Sequence, residues 1–269
     1  MTFAENDKVE VIGYVAAVAI GIILGLIGGG GSILTVPILV YLFGVNAELA
    51  TSYSLFIVGI TAGIGSYKQY TFQNLKVKEA IYFALPSIVS ILLVRKIILP
   101  LIPAVLFQSG NTTITKDMLI MLVFALLMLA TSRAMIMKRT ENCKTEVSRI
   151  KLGLIGLIVG LVTGFLGAGG GFLIIPALIF FGGVQMKQAI GTSLLIIAIN
   201  SLSGFTGDLL NGVKIDITLM FSITLMAVIG MLIGSAFSRK IDGNRLKSVF
   251  GWFVLAMGLL IISKELFIK

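Results

Sequence analysis

Residues 25–37 read GLIGGGGSILTVP: four consecutive glycines, Gly28 to Gly31, then Ser32 and, six positions past the last glycine, Pro37. Apolar residues flank the run on both sides, so a polar surface loop does not account for it. Each glycine inside a helix costs about 1 kcal/mol relative to alanine, so four in succession specify a break. Residues 12–44 as one helix would be about 50 Å long, against about 30 Å of bilayer hydrocarbon. Broken at Gly28–Gly31, the stretch leaves two pieces of about 14 residues each. Such a segment is either one bent crossing or a hairpin that enters and leaves on the same side. Non-helical backbone at that depth requires cover from other helices or a water-filled cavity.

The rest of the chain has the composition for that setting. Its 269 residues are 57% hydrophobic and 12% charged, with a mean hydropathy of +1.07; soluble domains carry about a quarter charged residues. Apolar stretches recur at 11–27, 32–45, 47–66, 80–94, 118–137, 152–166, 172–183, 189–205, 217–237 and 249–263. The expected fold is an all-α polytopic membrane protein embedded in a lipid bilayer. Glu5, Asp7, Lys8 and Glu10 precede the first apolar run, unlike the basic start of a signal peptide. The longest polar connections, 108–117 and 138–151, leave no room for a soluble domain. Cys143 is the only cysteine and histidine is absent, so an intramolecular disulfide is excluded. A His/Cys metal or haem site is unsupported, and neither cofactor nor metal is expected. The net charge of +9 reads as basic loops facing anionic lipid rather than as a nucleic-acid surface.

The glycine run has a partner. Residues 160–178, GLVTGFLGAGGGFLIIPAL, match residues 21–39, GIILGLIGGGGSILTVPIL, at eight of nineteen positions with an offset of 139. The matches include Gly21/Gly160, Gly25/Gly164 and Pro37/Pro176. Downstream, Ala50-Thr51-Ser52 answers Gly191-Thr192-Ser193, residues 74–78 answer 212–216, and Arg95-Lys96-Ile97 answers Arg239-Lys240-Ile241. The organisation is therefore an N-terminal tail at 1–10, a first transmembrane repeat at 11–138, a charged linker at 139–149 and a second repeat at 150–269. Each half has four segments and opens with a Gly-broken or re-entrant helix.

The doubled glycine motif with its trailing proline, the following (A/G)-T-S and the four-plus-four plan resemble the sulfite exporter TauE/SafE family. The resemblance covers essentially the whole chain. It implies secondary transport of small sulfur-containing anions or organosulfonates, commonly outward across the bacterial inner membrane. Nothing in composition or spacing alone names sulfur.

Basic residues discriminate between hairpin and crossing. If both glycine segments re-enter, Lys8, Arg95, Lys96, Lys116, Lys214, Lys264 and Lys269 fall on one side, seven in all, and fourteen fall on the other. If each segment crosses once, the split is 13 to 8. The two-to-one split obeys the positive-inside rule better and orients the halves oppositely, as in inverted-repeat transporters. This places both termini outside and the 139–149 linker in the cytoplasm. Residues 97–107, with Pro100 and Pro103, read as an interfacial segment, or as part of a distorted longer third helix.

A broken helix frees backbone amides at the start of its second piece, where the helix dipole is positive. Gly28, Gly29, Gly30, Gly31 and Ser32, with Gly167, Gly169, Gly170, Gly171 and Phe172 in the second half, are the candidate anion ligands. Thr51, Ser52, Ser54, Thr192 and Ser193 either donate hydroxyls to the anion or cap their own helices. Asn200, with Ser201 and Ser203, is either a ligand or an interhelical hydrogen bond. Gly21/Gly25 and Gly160/Gly164 have the spacing of close helix packing. Lys68 and Asp208, near helix ends, are candidates for proton or ion coupling, or simply snorkel to the interface. Glu48 and Lys187 read as interfacial.

A P-loop is excluded because no Gly-Lys-Ser/Thr follows the glycines. A dinucleotide site is disfavoured because membrane helices flank them. An intramembrane hydrolase without histidine would need Ser–Lys or paired aspartates, and neither is evident at helix-core depth. An anion-selective channel stays open as an alternative to a transporter. The sequence leaves the oligomeric state, the anion and the coupling ion undetermined.

Overall fold

The computed structural model describes residues 3–29, 32–109, 112–136, 149–167, 169–238 and 243–267. The first half contains α1 (Phe3–Ile27), α2 (Ser32–Tyr41), α3 (Ala47–Thr71) and α4 (Val77–Leu93). It continues through a π turn (Val94–Ile98) into the short α5 (Leu99–Leu101), strands β1 (Val105–Ser109) and β2 (Thr112–Thr115), and α6 (Lys116–Ile136). The second half contains α7 (Arg149–Leu166), α8 (Gly171–Phe180), α9 (Met186–Leu210), α10 (Ile217–Phe237) and α11 (Gly243–Phe267).

Gly28 and Gly167 end α1 and α7 in the same way. Both take the left-handed conformation, with φ of 83° and 67°. Their N–H groups donate to Leu24 and Thr163 carbonyls at 2.8 and 2.9 Å. That is the glycine cap which closes a helix and turns the chain away.

Close approaches fix the helix directions. Gly21 backs onto Ala227, and Gly25 onto Met231 and Ser235, so α1 and α10 run parallel. Gly156, Gly160 and Gly164 back onto Phe83, Ser87 and Ile91, so α7 and α4 run parallel in the same manner. The two small-residue pairs expected to serve packing do so, each against the third helix of the other half. Gly59 faces Leu202 while Gly65 faces Leu194, which makes α3 and α9 antiparallel. The Asp216 N–H donates to the Tyr53 hydroxyl near one end of α3, and Lys68 Nζ reaches the Leu232 carbonyl near the other. Helices α1, α3 and α10 therefore point one way, and α7, α9 and α4, related to them by the repeat, point the other.

Each glycine break is the tip of a helical hairpin. Phe43, just past α2, packs edge-on against Tyr14 in the middle of α1, with centroids 5.9 Å apart. Gly167 lies against Thr51 beside the far end of α9, whereas α8 leads directly into the start of α9. The arms are unequal, 25 and 10 residues in the first hairpin and 18 and 10 in the second, not two matched pieces of about 14.

Among the described residues, five helices are long and apolar enough to cross a membrane, and the protein is a multi-pass helical membrane protein. In α3 and α9, 72% of the spanning window is buried, against 39% in α4, α7 and α10. The antiparallel α3/α9 pair is thus the centre. Its neighbours turn Leu85, Val89, Ile158 and Leu225 outward.

Residues 97–101 continue the third helix, in line with the reading of a longer, distorted helix. Pro100 lacks the N–H an unbroken α ladder would use, and the backbone widens just before it, with Leu99 N–H donating to the Val94 carbonyl. Strands β1 and β2 pair antiparallel, Phe107 with Ile114 and Ser109 with Thr112, a small exception to the all-α reading. Residues assigned to the 1–10 tail are helical from Phe3. Of the 139–149 linker, all but Arg149 lies outside the described residues.

Helix α11 is tied to the first hairpin at its C-terminal end. Lys264 Nζ sits 3.9 Å from the Tyr41 ring centroid, and the Tyr41 hydroxyl donates to Glu265 at 3.2 Å. A cation over an aromatic face contributes about 0.5–2 kcal/mol. Lys264→Met should lower the melting temperature by a few degrees without changing the monodispersity of the purified protein.

Candidate functional site

The two glycine breaks meet. Gly29 and Gly171 approach so closely that a methyl group on Gly29 would stand 2.6 Å from the Gly171 Cα. Only glycine at both positions permits that contact. Around the second break, Gly169 and Gly170 hold φ of 64° and 69°, and Gly170 caps α8 without a side-chain bond. The first turn of α8, from Gly171 through Phe172, therefore presents N–H groups that its own helix does not use. Two buried hydroxyls flank it. A Cβ at Gly169 would lie 2.7 Å from Ser201 Oγ, and one at Gly170 would collide with Thr163 Oγ1. Neither oxygen has a hydrogen-bond partner among the described residues. At the first break Ser32 Oγ donates back to the Gly29 carbonyl at 2.7 Å, so this hydroxyl shapes the turn. Gly30 and Gly31 lie outside the described residues.

Beside the second break is a cluster that the sequence reading divided among unrelated roles. Gly167 backs onto Thr51, and the Thr51 hydroxyl accepts from Arg95 Nη1 at 3.1 Å while donating to the Glu48 carbonyl at 2.7 Å. The same Nη1 donates to Asp208 Oδ2 at 2.8 Å, and Ser52 Oγ donates to that oxygen at 2.5 Å. Both ionic side chains are enclosed, with exposures of 0% and 4%. Arg95 is positioned by the π turn, by Asn211, whose Nδ2 donates to the Arg95 carbonyl at 2.9 Å, and by Gly207 against its Cβ. Its Nε and Nη2 have no partner among the described residues. A buried donor left without a partner costs about 1–3 kcal/mol, so this edge of the guanidinium is a standing electrostatic demand.

The other candidates separate. Thr192 Oγ1 accepts from the Lys76 N–H at 3.0 Å and holds the start of α4. Ser193 donates to the Ile190 carbonyl one turn back. Asn200 Nδ2 donates to Ser87 Oγ at 2.8 Å across α9 and α4, though its Oδ1 is buried with no partner among the described residues. Ser54 Oγ is buried without a partner among the described residues. Lys68 lies at the opposite end of the molecule from Asp208, on the Leu232 carbonyl. Glu48 forms an ion pair with Lys116 at 2.7 Å.

The contacts also refine the repeat. Gly28 backs onto Ile190 where Gly167 backs onto Thr51, so Thr51 corresponds to Ile190 and not to Thr192. Gly164 meets Ile91 and Val94 where Gly25 meets Met231, Gly234 and Ser235, so Arg95 corresponds to Ser235 and not to Arg239. At the offset of 139, Asp208 corresponds to Gln69. The Arg95–Asp208 pair, which bridges the two halves, thus has no charged counterpart at the related positions Ser235 and Gln69.

Sequence comparison agrees with the architecture. Residues 14–261 match the family described as sulfite exporter TauE/SafE. The chain belongs to that family. A probable membrane transporter protein of Xylella fastidiosa strain Temecula1 is 30% identical over 254 residues, covering 91% of this chain and 92% of the relative. The probable membrane transporter protein YjnA of Bacillus subtilis is 28% identical, covering 90% and 96%. A Methanocaldococcus jannaschii relative with the same description is 24% identical, covering 90% and 91%. No solved structure matches the chain. The family and these relatives identify a membrane transporter of the TauE/SafE type, which speaks against an enzyme.

Proposed function

We propose that this TauE/SafE protein is a secondary transporter, an exporter of small sulfur-containing anions such as sulfite or organosulfonates. The anion is held at the helix N-termini freed by the two glycine breaks. The observation that carries this reading is the back-to-back meeting of the breaks at Gly29 and Gly171. It brings two sets of helix-start amides to one locus, where partial positive charge suits an anion without a fixed cation for each oxygen. The opposed directions of related helices support an inverted-topology repeat in the bilayer, the plan on which alternating access operates. The basic-residue asymmetry supports termini outside and a cytoplasmic linker in a bacterial inner membrane. Arg95 is neutralised inside the bundle, which sharpens the seven-to-fourteen distribution further.

Proteoliposomes test the reading. Radiolabelled sulfite should enter with saturable kinetics and be accelerated by unlabelled sulfite or a sulfonate on the opposite face. Flux linear in concentration, without acceleration from the opposite face, would identify a channel instead. Silence with every sulfur anion alongside exchange of an unrelated solute would remove the substrate assignment.

A further inference from the structure

We propose that Arg95 is an oxyanion fork: its Nε and Nη2 edge takes two oxygens of one small anion at the second helix break. The inference rests on the transporter reading and adds a cationic ligand to amides and hydroxyls that carry no full charge. A guanidinium has five N–H donors, and its Nε/Nη2 edge matches two oxygens on a common central atom. Asp208 does not occupy that edge. It meets Nη1 alone, end-on through Oδ2, and Thr51 takes the remaining capacity of the same nitrogen. The edge best suited to a carboxylate, sulfite or sulfonate is the one without a partner among the described residues.

Burial strengthens the argument. The Arg95 side chain has 0% exposure, and an arginine enclosed to that degree ordinarily has its donors satisfied. The Asn211 bond and the Gly207 contact lock the backbone that carries it, so the unpaired edge is not a mobile surface group. Through Thr51 the guanidinium adjoins Gly167, the cap that opens the second break. Asp208 then has a definite part: it holds the guanidinium in register from the other side and competes electrostatically with an incoming anion. Ser235 and Gln69 at the related positions supply no such charge, so the fork makes the two hairpins unequal in anion recognition.

Equilibrium binding to the purified full-length protein, with sulfite under anaerobic conditions and chloride as the comparison, tests the proposal. The wild type should bind sulfite well in preference to chloride. Arg95→Lys keeps the charge beside Asp208 but removes the planar fork, and should weaken sulfite at least tenfold while leaving chloride within twofold. Asp208→Asn relieves the competing charge and should tighten sulfite severalfold, with a larger sulfite-induced rise in melting temperature than the wild type shows. A merely structural ion pair predicts lower stability in both variants and no opposed change in affinity. If Arg95→Lys does not fold, the Asp208→Asn result decides alone: tightening supports the fork, and unchanged affinity overturns it. Sulfite affinity within twofold of wild type in Arg95→Lys overturns it, as does equal wild-type affinity for chloride. Loss of sulfite binding in Gly171→Ala with none in Arg95→Lys places the anion at the break alone and also overturns the fork. Loss in Arg95→Lys but not in Gly171→Ala retains the fork and removes the amide site.

Discussion

Asp208→Leu should destabilise the folded protein by about 3–5 kcal/mol, because it leaves the Arg95 guanidinium buried without its counter-charge. The two side chains have 0% and 4% exposure and meet at 2.8 Å, so water does not screen the loss. The companion experiment is the double variant Arg95→Leu, Asp208→Leu. Replacing both charges with apolar side chains removes the desolvation cost together with the attraction, and such exchanges are often neutral for stability. Melting followed by size exclusion should show the single variant largely aggregated and the double variant close to wild type. Transport should not recover with stability. A double variant as unstable as the single one would show that the cluster holds the fold through its hydroxyl partners, Thr51 and Ser52, more than through charge.

The second large effect is expected at the meeting of the two breaks. Gly171→Leu should reduce transport at least a hundredfold while the protein still inserts, and Gly171→Ala at least tenfold. The methyl group of alanine would already collide with the Gly29 backbone, and backbone cannot rotate aside as a side chain can. Insertion survives because the long helices are apolar independently of this contact. Gly29→Ala should match Gly171→Ala, since each relies on the other's missing side chain. The measurement is flux per inserted molecule. Normal flux in either alanine variant would show that the tips need not touch during transport.

Much of this was legible in the sequence because it depends on local chemistry. A glycine run within an apolar stretch must break a helix, its repetition after 139 residues marks a second break, and the Gly21/Gly25 and Gly160/Gly164 spacings predict helix contact. The Arg95–Asp208 pair was not legible, since its members are separated by 113 positions. Arg95 also precedes Lys96 after an apolar run, which mimics an interfacial pair. A signal was nevertheless present: Ile97 through Leu101 continue the apolar run beyond the charges, so Arg95 stands within it, and ionisable groups inside membrane segments are functional by default. The β-hairpin had its own sign in Gly110-Asn111 ahead of Thr112 and Thr113. The register of the later landmarks failed for a different reason. Short motifs on long helices can slide by two or four residues without a gap, and only tertiary contacts fix their depth.

The crossed pairing of α1 with α10 and α4 with α7 has a consequence for biogenesis. Gly21 and its contact Ala227 are separated by about two hundred residues, so α1 leaves the ribosome about 10–40 s before its partner at ordinary elongation rates. During that interval its small-residue face has only lipid or the insertion machinery to rest against. Helix α7, by contrast, emerges with α4 already in place. The first half therefore completes its assembly only when the chain is nearly finished, and truncation after the first repeat strands a helix whose docking surface was never made.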